Sequence, residues 1–223
     1  MIDAILYINL TYREDRKRSI CNELTKLAAV CSNVHRIDAV LEPMCGHLGC
    51  GKSHVKAIEL AIANNWDSVL IVEDDLELTQ PPDVLCKMIT DAHAVAWDVI
   101  LLGLGYHTIL PSEYSFLNKV KASSCTHGYI VRKEYYSTLL ENFRGAVVKM
   151  TKEIEEHQRK CIEQGGPITK LKECSAIDQE WVRLQSKDIF YVFNPQIGQQ
   201  SGTLYSDNNC SFEHQRDRLG RMK

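Results

Sequence analysis

Apolar positions along the chain fall into two rhythms: short unbroken runs, and longer stretches in which they recur every three or four residues. The runs are Ile2 to Leu10, Val69 to Val72, Trp97 to Gly103 and Ile189 to Phe193, each with at most one or two polar positions, while Val34 to Leu41 reads as a short second strand. Thr126 to Val131 forms a further extended segment, and Lys119 to Ser124 reads as an edge strand. Short β-branched runs without alternation indicate strands buried on both faces, as in a parallel sheet between helices. The helical rhythm places Ile20, Leu24, Leu27 and Cys31 on one buried stripe, and Val55, Ile58, Ala61 and Ile62 on another. Helices are also predicted over Asp83 to Ala94, Lys133 to Phe143 and from Ala176 onward. Val147 to Lys172 is charged and helix-like, broken at Gly165-Gly166-Pro167. Thr11 is the expected cap of the first helix, with Glu14 at the capping-box position. The tail after Pro195, with Gln199, Gln200, Ser206, Asp207 and His214, is polar and expected to be irregular. The pattern predicts an α/β fold with a mostly parallel central sheet flanked by helices.

Composition narrows the classes. The 223 residues suffice for one large α/β domain, and the hydrophobic fraction of 44% is ordinary for a globular protein. A net charge of −3 gives no electrostatic case for nucleic acid or an acidic membrane as partner. No apolar run approaches the ~20 residues of a transmembrane helix. The first strand begins at Ile2, which leaves no room for a signal peptide, and a cytoplasmic location is the expectation. Nine scattered cysteines without a C-x-x-C pair read as free thiols in a reducing compartment.

Chemistry concentrates where the run Val69 to Val72 ends in Glu73, Asp74 and Asp75. If strand geometry persists for one more step, Glu73 and Asp75 point to one side and Asp74 to the other. In open α/β sheets ligands gather beyond the carboxyl ends of strands. Adjacent carboxylates raise each other's pKa unless a cation or hydrogen-bond donors compensate. Two such oxygen ligands suit Mg²⁺ or Mn²⁺ shared with a substrate diphosphate. The plainer alternative is that the acids solubilise a strand end ahead of the helix after Pro81-Pro82-Asp83. Arg13, Arg16, Lys17 and Arg18 near the first helix start work against the macrodipole; a solvated basic face is the preferred reading and an anionic ligand near Arg13 the alternative.

Gly46-His-Leu-Gly-Cys-Gly-Lys52-Ser53 satisfies the G-x-x-x-x-G-K-[ST] pattern of a phosphate-binding loop. Such a loop must follow directly from a buried strand, and Glu42-Pro43-Met44 interrupts the approach. Cys45, His47, Cys50 and His54 imitate a zinc site poorly, because structural zinc spacing pairs two close ligands with two distant ones. A Gly-rich turn opening a helix is the preferred reading.

Several stretches together resemble the family 25 glycosyltransferases, which include lipooligosaccharide and collagen hydroxylysine galactosyltransferases. They are Tyr7 to Arg16, Gly49 to His54, Val69 to Leu76, Trp97 to Gly103, Thr126-His127-Gly128-Tyr129, Ile177-Asp178, and Pro195 through Gln200 to Asp207. Each is weak alone, but their order spans nearly the whole chain. Gly51-Lys52 departs from the small or apolar residues usual in that family between the Cys and Ser-His. The resemblance implies a GT-A-like fold in one domain, with donor binding in about 1–110 and acceptor binding and catalysis in about 111–223. It also implies inverting transfer of a hexose, galactose or glucose, from a UDP-sugar to a hydroxyl on a glycan or protein. On that reading Asp75 is the first metal ligand, for Mn²⁺ or Mg²⁺, joined by Glu73 and Asp74. Asn9, Arg13, Arg16, Glu73 and His127 are candidate donor contacts. Asp178 is the candidate base, Glu180 its substitute, although Asp178 also suits a helix N-cap. The alternatives are a nucleotide kinase or NTPase using Gly46 to Ser53, and a non-catalytic relative that binds sugar or protein.

Overall fold

The computed structural model describes residues 2–105, 107–171 and 173–202. Its centre is an eight-stranded sheet. In chain order the strands are β1 (Ala4–Asn9), β2 (Val34–Asp38), β3 (Ser68–Glu73), β4 (Leu76–Leu78), β5 (Val99–Leu101), β6 (His107–Pro111), β7 (Leu117–Ser123), β8 (Gly128–Arg132), β9 (Phe190–Phe193) and β10 (Gly198–Gln200). The main sheet has the order β2-β1-β3-β8-β5-β9-β7-β6, and β4 pairs with β10 in a separate ribbon. Strands β7 and β8 run against the other six, so four of the seven pairings are antiparallel. The expected α/β architecture holds, and most strands share one direction, but the sheet is mixed in its pairing. Burial on both faces leaves an apolar run whichever way a strand points, so the pattern carries no signal of direction.

Helices α1 (Glu14–Thr25), α2 (Gly46–Ala63), α3 (Pro82–Ala92), α4 (Tyr136–Glu163), α5 (Ile177–Glu180) and α6 (Val182–Gln185) complete the described fold. Alternate residues of the central strands feed two cores. Leu6, Ile8, Val69, Ile71, Tyr129 and Val131 pack with Ile58 of α2 and Phe143 and Met150 of α4. Ile5, Tyr7, Leu70, Val72 and Ile130 pack with Ile20 and Leu24 of α1 and Leu85 and Ile89 of α3. Each such fully buried side chain contributes roughly 1.5–3 kcal/mol. At the far end from the acidic turn, the Asp3 carboxylate accepts the Asp67 and Ser68 amides at 2.7 and 3.0 Å, joining β1 to β3.

Three local expectations are corrected. Thr11 does not cap α1: the helix starts after Arg13 without a side-chain cap, and the Thr11 hydroxyl donates to Asp38 at 3.2 Å. Ile62 lies 43% exposed, and the buried face of α2 continues through Ala57, Ile58 and Ala61 instead. Helix α4 is one continuous rod of 28 residues, not a helix ending at Phe143. Its stripe Leu139, Phe143, Ala146, Met150 and Ile154 holds helical spacing straight through Gly145. The rod ends where Gly165 adopts φ 68° and the amides of Gly165 and Gly166 return to the carbonyls of Ile162 and Cys161 at 2.9 and 3.1 Å, a Schellman closure. No helix among the described residues is long and apolar enough to cross a membrane.

Candidate active site

Strand β3 ends at Glu73, and the chain turns at Asp74-Asp75 before re-entering extended structure as β4. The extra step of strand geometry does not occur, yet the acids still separate by partner. Asp74 receives the Asn9 side-chain amide at 2.8 Å and the Arg16 guanidinium at 2.8 Å. Burial raises the Asp74 carboxyl, against the pull of Arg16 and Asn9. Arg16 also stands 3.6 Å from Asp75. The basic start of α1 thus faces anions of the protein itself, and Arg13 pairs with Asp15 at 2.9 Å. Asn9 also accepts the Arg36 guanidinium at 3.2 Å.

Asp75 is 8% exposed, and its Oδ1 accepts no hydrogen bond among the described residues. Burial, then the Glu73 charge, push its carboxyl up to about 7, with Arg16 pulling the other way. An unsatisfied buried carboxylate oxygen costs free energy until a proton or a cation meets it. The Asp75 carbonyl accepts the Ser201 amide at 2.7 Å, which draws the end of β10 onto the acidic turn.

Glu73 has the opposite character. Its Oε1 accepts the Thr126 hydroxyl at 2.8 Å and lies 3.4 Å from the His54 ring and 4.0 Å from the Cys50 sulfur. Burial pushes the Glu73 carboxyl up, but the His54 hydrogen bond and charge, Thr126 and His127 outweigh it and hold it at about 2. Two carboxylates two positions apart in the chain are thus driven apart in acidity by their surroundings. His127 is 3% exposed, and burial lowers its pKa, opposed by Glu73.

Asp178 sits in the first turn of α5 without capping it: the cap position is Ala176, with no side-chain bond. Its Oδ2 accepts the Cys125 amide at 3.1 Å, presented by a backbone with φ 86° at Cys125. Non-glycine residues hold that left-handed conformation only when their surroundings enforce it. Burial, then the charges of Glu73, Asp178 and Asp75, raise the Cys50 thiol well above its ordinary value. Glu180 turns to Lys149 at 2.7 Å and to Arg183 at 3.8 Å on the surface. The residues missed by sequence reasoning are Thr126 and His54 as partners of Glu73, and Ser201. Thr126 lay within a quoted stretch, but nothing in the sequence joins it to Glu73 across 53 positions.

The Gly46 to Ser53 stretch is helical from its first residue and so forms no loop between strand and helix; the Leu48 and Gly49 amides bond to the Cys45 carbonyl at 3.1 and 3.4 Å. Lys52 pairs with Glu42, and the Ser53 hydroxyl donates to the Gly49 carbonyl at 2.6 Å. A Cβ on Gly49 would stand 2.3 Å from the Val40 carbonyl oxygen, so that glycine serves close packing of α2 on the chain leaving β2.

No protein-family model matches the chain, and no curated protein matches it in sequence. Solved structures do. A UDP-glucose pyrophosphorylase complexed with UDP-glucose aligns over 99% of this chain and 99% of its own, at 11% identity and a TM-score of 0.52. The fold is that of the GT-A and nucleotidyltransferase structures. A glycosyltransferase involved in glycosylation of the major capsid of PBCV-1 aligns at 12% identity, covering 87% and 94% of the two chains, with a TM-score of 0.39. A Drosophila beta-1,4-galactosyltransferase 7 in complex with manganese, UDP-Gal and xylobiose aligns at 9% identity over 86% and 70%, with a TM-score of 0.41. The fold assignment rests on the first of these three.

Proposed function

We propose that this chain is a divalent-cation-dependent, inverting glycosyltransferase that moves a hexose from a UDP-sugar to a hydroxyl of a glycan or protein, as the family 25 resemblance implies. The observation that carries the reading is Asp75: a buried carboxylate close in the chain to Glu73, just past the carboxyl end of a central strand, whose Oδ1 accepts no hydrogen bond among the described residues. That donor set fits Mn²⁺ or Mg²⁺, which favour carboxylate oxygens. Asp75 and Glu73 would hold the cation, while Asp74, engaged by Asn9 and Arg16, fixes the turn that presents Asp75. The bound cation supplies Lewis-acid neutralisation of the charge that develops on the leaving diphosphate.

The chain's own residues do the rest. Asp178 takes the proton from the acceptor hydroxyl, its orientation set by the Cys125 amide. Glu180 is the weaker candidate because Lys149 and Arg183 already occupy its carboxylate. Arg13, just ahead of α1, would meet the nucleotide or diphosphate, while Asn9 and Arg16 act through Asp74. His127, buried and joined to β3 by its carbonyl, which accepts the Glu73 amide at 2.9 Å, is a further candidate donor contact. The donor side is built mainly from about 1–110 and the acceptor side from about 111–223, although β8 and β9 of the second part complete the same sheet.

The test is product analysis with UDP-galactose and UDP-glucose in the presence of Mn²⁺. Metal-dependent release of UDP, lost in Asp75→Asn, supports the reading. Release of pyrophosphate from UTP and a sugar phosphate would point to nucleotidyl transfer. No turnover and no donor binding with any UDP-hexose would overturn it.

A further inference from the structure

Beside the carboxylate pair, α2 and β3 bring together a different ligand set. Cys50 and His54 stand one helical turn apart on α2, where residues four apart share a face. Glu73 meets them from the end of β3. The Cys50 sulfur, a His54 ring nitrogen and a Glu73 oxygen all lie within 4.8 Å of one another. Two of the separations are 3.4 Å, His54 Nε2 to Glu73 Oε1, and 4.0 Å, Cys50 Sγ to Glu73 Oε1. Tetrahedral zinc with ordinary bond lengths requires ligand-to-ligand edges of about 3.4–3.6 Å. The His54 to Glu73 edge already matches that range and the Cys50 to Glu73 edge is close to it.

The histidine is also prepared for the task. His54 is fully buried, and its other nitrogen, Nδ1, lies 3.0 Å from the Tyr129 hydroxyl. Metal-bound imidazoles commonly have their second nitrogen fixed in this way, which sets tautomer and ring orientation. Thr126 donates at 2.8 Å to Glu73 Oε1, the same oxygen that faces His54 and Cys50, and so holds that carboxylate in place. The side chain of Glu73 is 21% exposed, so a fourth ligand can reach the position from solvent.

We propose that Cys50, His54 and Glu73 form a binding site for a thiophilic dication of the Zn²⁺ class, which shares Glu73 with the oxygen-donor site proposed at Asp75 but does not use Asp75 itself. A sulfur, nitrogen and oxygen set selects Zn²⁺ over Mn²⁺ or Mg²⁺, because thiolate and imidazole favour the softer ion. On binding, the Cys50 thiol proton leaves to solvent, the thiolate, imidazole and carboxylate donate to the ion, and water takes the fourth position. The inference requires neither a donor nor turnover, and it meets the transferase reading only at Glu73, which both would use.

Cobalt is the probe, added to the reduced full-length chain. The expected result is a thiolate-to-cobalt charge-transfer band that saturates at about one equivalent and disappears on adding one equivalent of Zn²⁺. Cys50→Ala and the volume-conserving Cys50→Ser should lose the band, or need at least about tenfold more cobalt, with a thermal midpoint close to that of the parent. Asp75→Asn should keep the band, which separates this site from the proposed catalytic one. Absence of a thiolate band at one equivalent overturns the proposal. So does an undiminished band in a folded Cys50 variant, which would place the thiolate elsewhere.

Discussion

Replacing Asp75 by asparagine should make the metal-free protein more stable while destroying its response to metal. The carboxyl is raised from its ordinary 3.8 to about 7 by burial and the Glu73 charge. A carboxyl whose folded value exceeds its unfolded one favours the fold when protonated. That contribution is present in full below 3.8 and is lost as pH rises through 7. Above that window the ionised form carries a penalty of about 4 kcal/mol, and at pH 4.5 only about 1 kcal/mol has accrued. The introduced side-chain amide would be neutral throughout and close in shape. The variant should therefore exceed the parent in unfolding free energy by up to about 4 kcal/mol at pH 8 in chelator, shrinking to about 1 kcal/mol at pH 4.5. Glu73, held at about 2, titrates in both proteins and largely cancels. Urea unfolding at the two pH values measures the gap directly. With Mn²⁺ at a hundred times its dissociation constant, the parent should gain about 2.7 kcal/mol and the variant nothing. The reasoning fails if the variant is the less stable protein at pH 8, or if its gap to the parent does not change with pH.

Three further outcomes follow from the same geometry. Asp178→Asn should abolish transfer yet leave UDP and Mn²⁺ binding within a few-fold of the parent by calorimetry; retained transfer removes Asp178 from the base role. Lys52→Ala breaks only a pair with Glu42, so donor affinity should stay within tenfold, about 1.4 kcal/mol, and stability within about 1 kcal/mol. A larger loss of affinity would revive a nucleotide role for that lysine. Gly49→Ala forces a methyl to 2.3 Å from the Val40 carbonyl and should cost at least about 2 kcal/mol of stability in urea, a value no open helix surface would return.

Much of the scaffold was legible because burial leaves a mark on sequence. The runs at Ile2, Val69 and Ile189 are strands, and the stripes through Ile20 and Ile58 are helix faces, because an apolar side chain must find an apolar neighbour. What escaped was shorter or non-local. Strands β4 and β10 have three residues each and exist through pairing with one another, Gly198 opposite Leu78. Strand β6 lies at the sheet edge with Thr108 and Leu110 exposed, so it carries no apolar run. The length of α4 was hidden by its charged outer face and by Gly145, beside which a Cβ would meet nothing. At the candidate site the acidic triplet stood out because it is contiguous. Its division of labour did not, since Arg16 meets Asp74 across 58 positions and Thr126 meets Glu73 across 53.

The two-sided burial of β1 and β3 has a consequence for how the strands find their alignment. In a sheet with one wet face, a slip of one residue throws the apolar set into water, and hydrophobicity alone enforces the register. Here both faces are dry, and a shifted β1 would still bury isoleucine, leucine and tyrosine on either side. The alignment of Ala4 with Val69 through Ile8 with Glu73 is instead secured by polar pins at the two ends. Asp3 grips the Asp67 and Ser68 amides at one end, and Asn9 and Arg16 grip Asp74 at the other. The second pin belongs to the acidic cluster. Asp74 thus serves as an alignment mark between β1 and β3, and the contact that holds the sheet in register also holds the turn that carries Asp75.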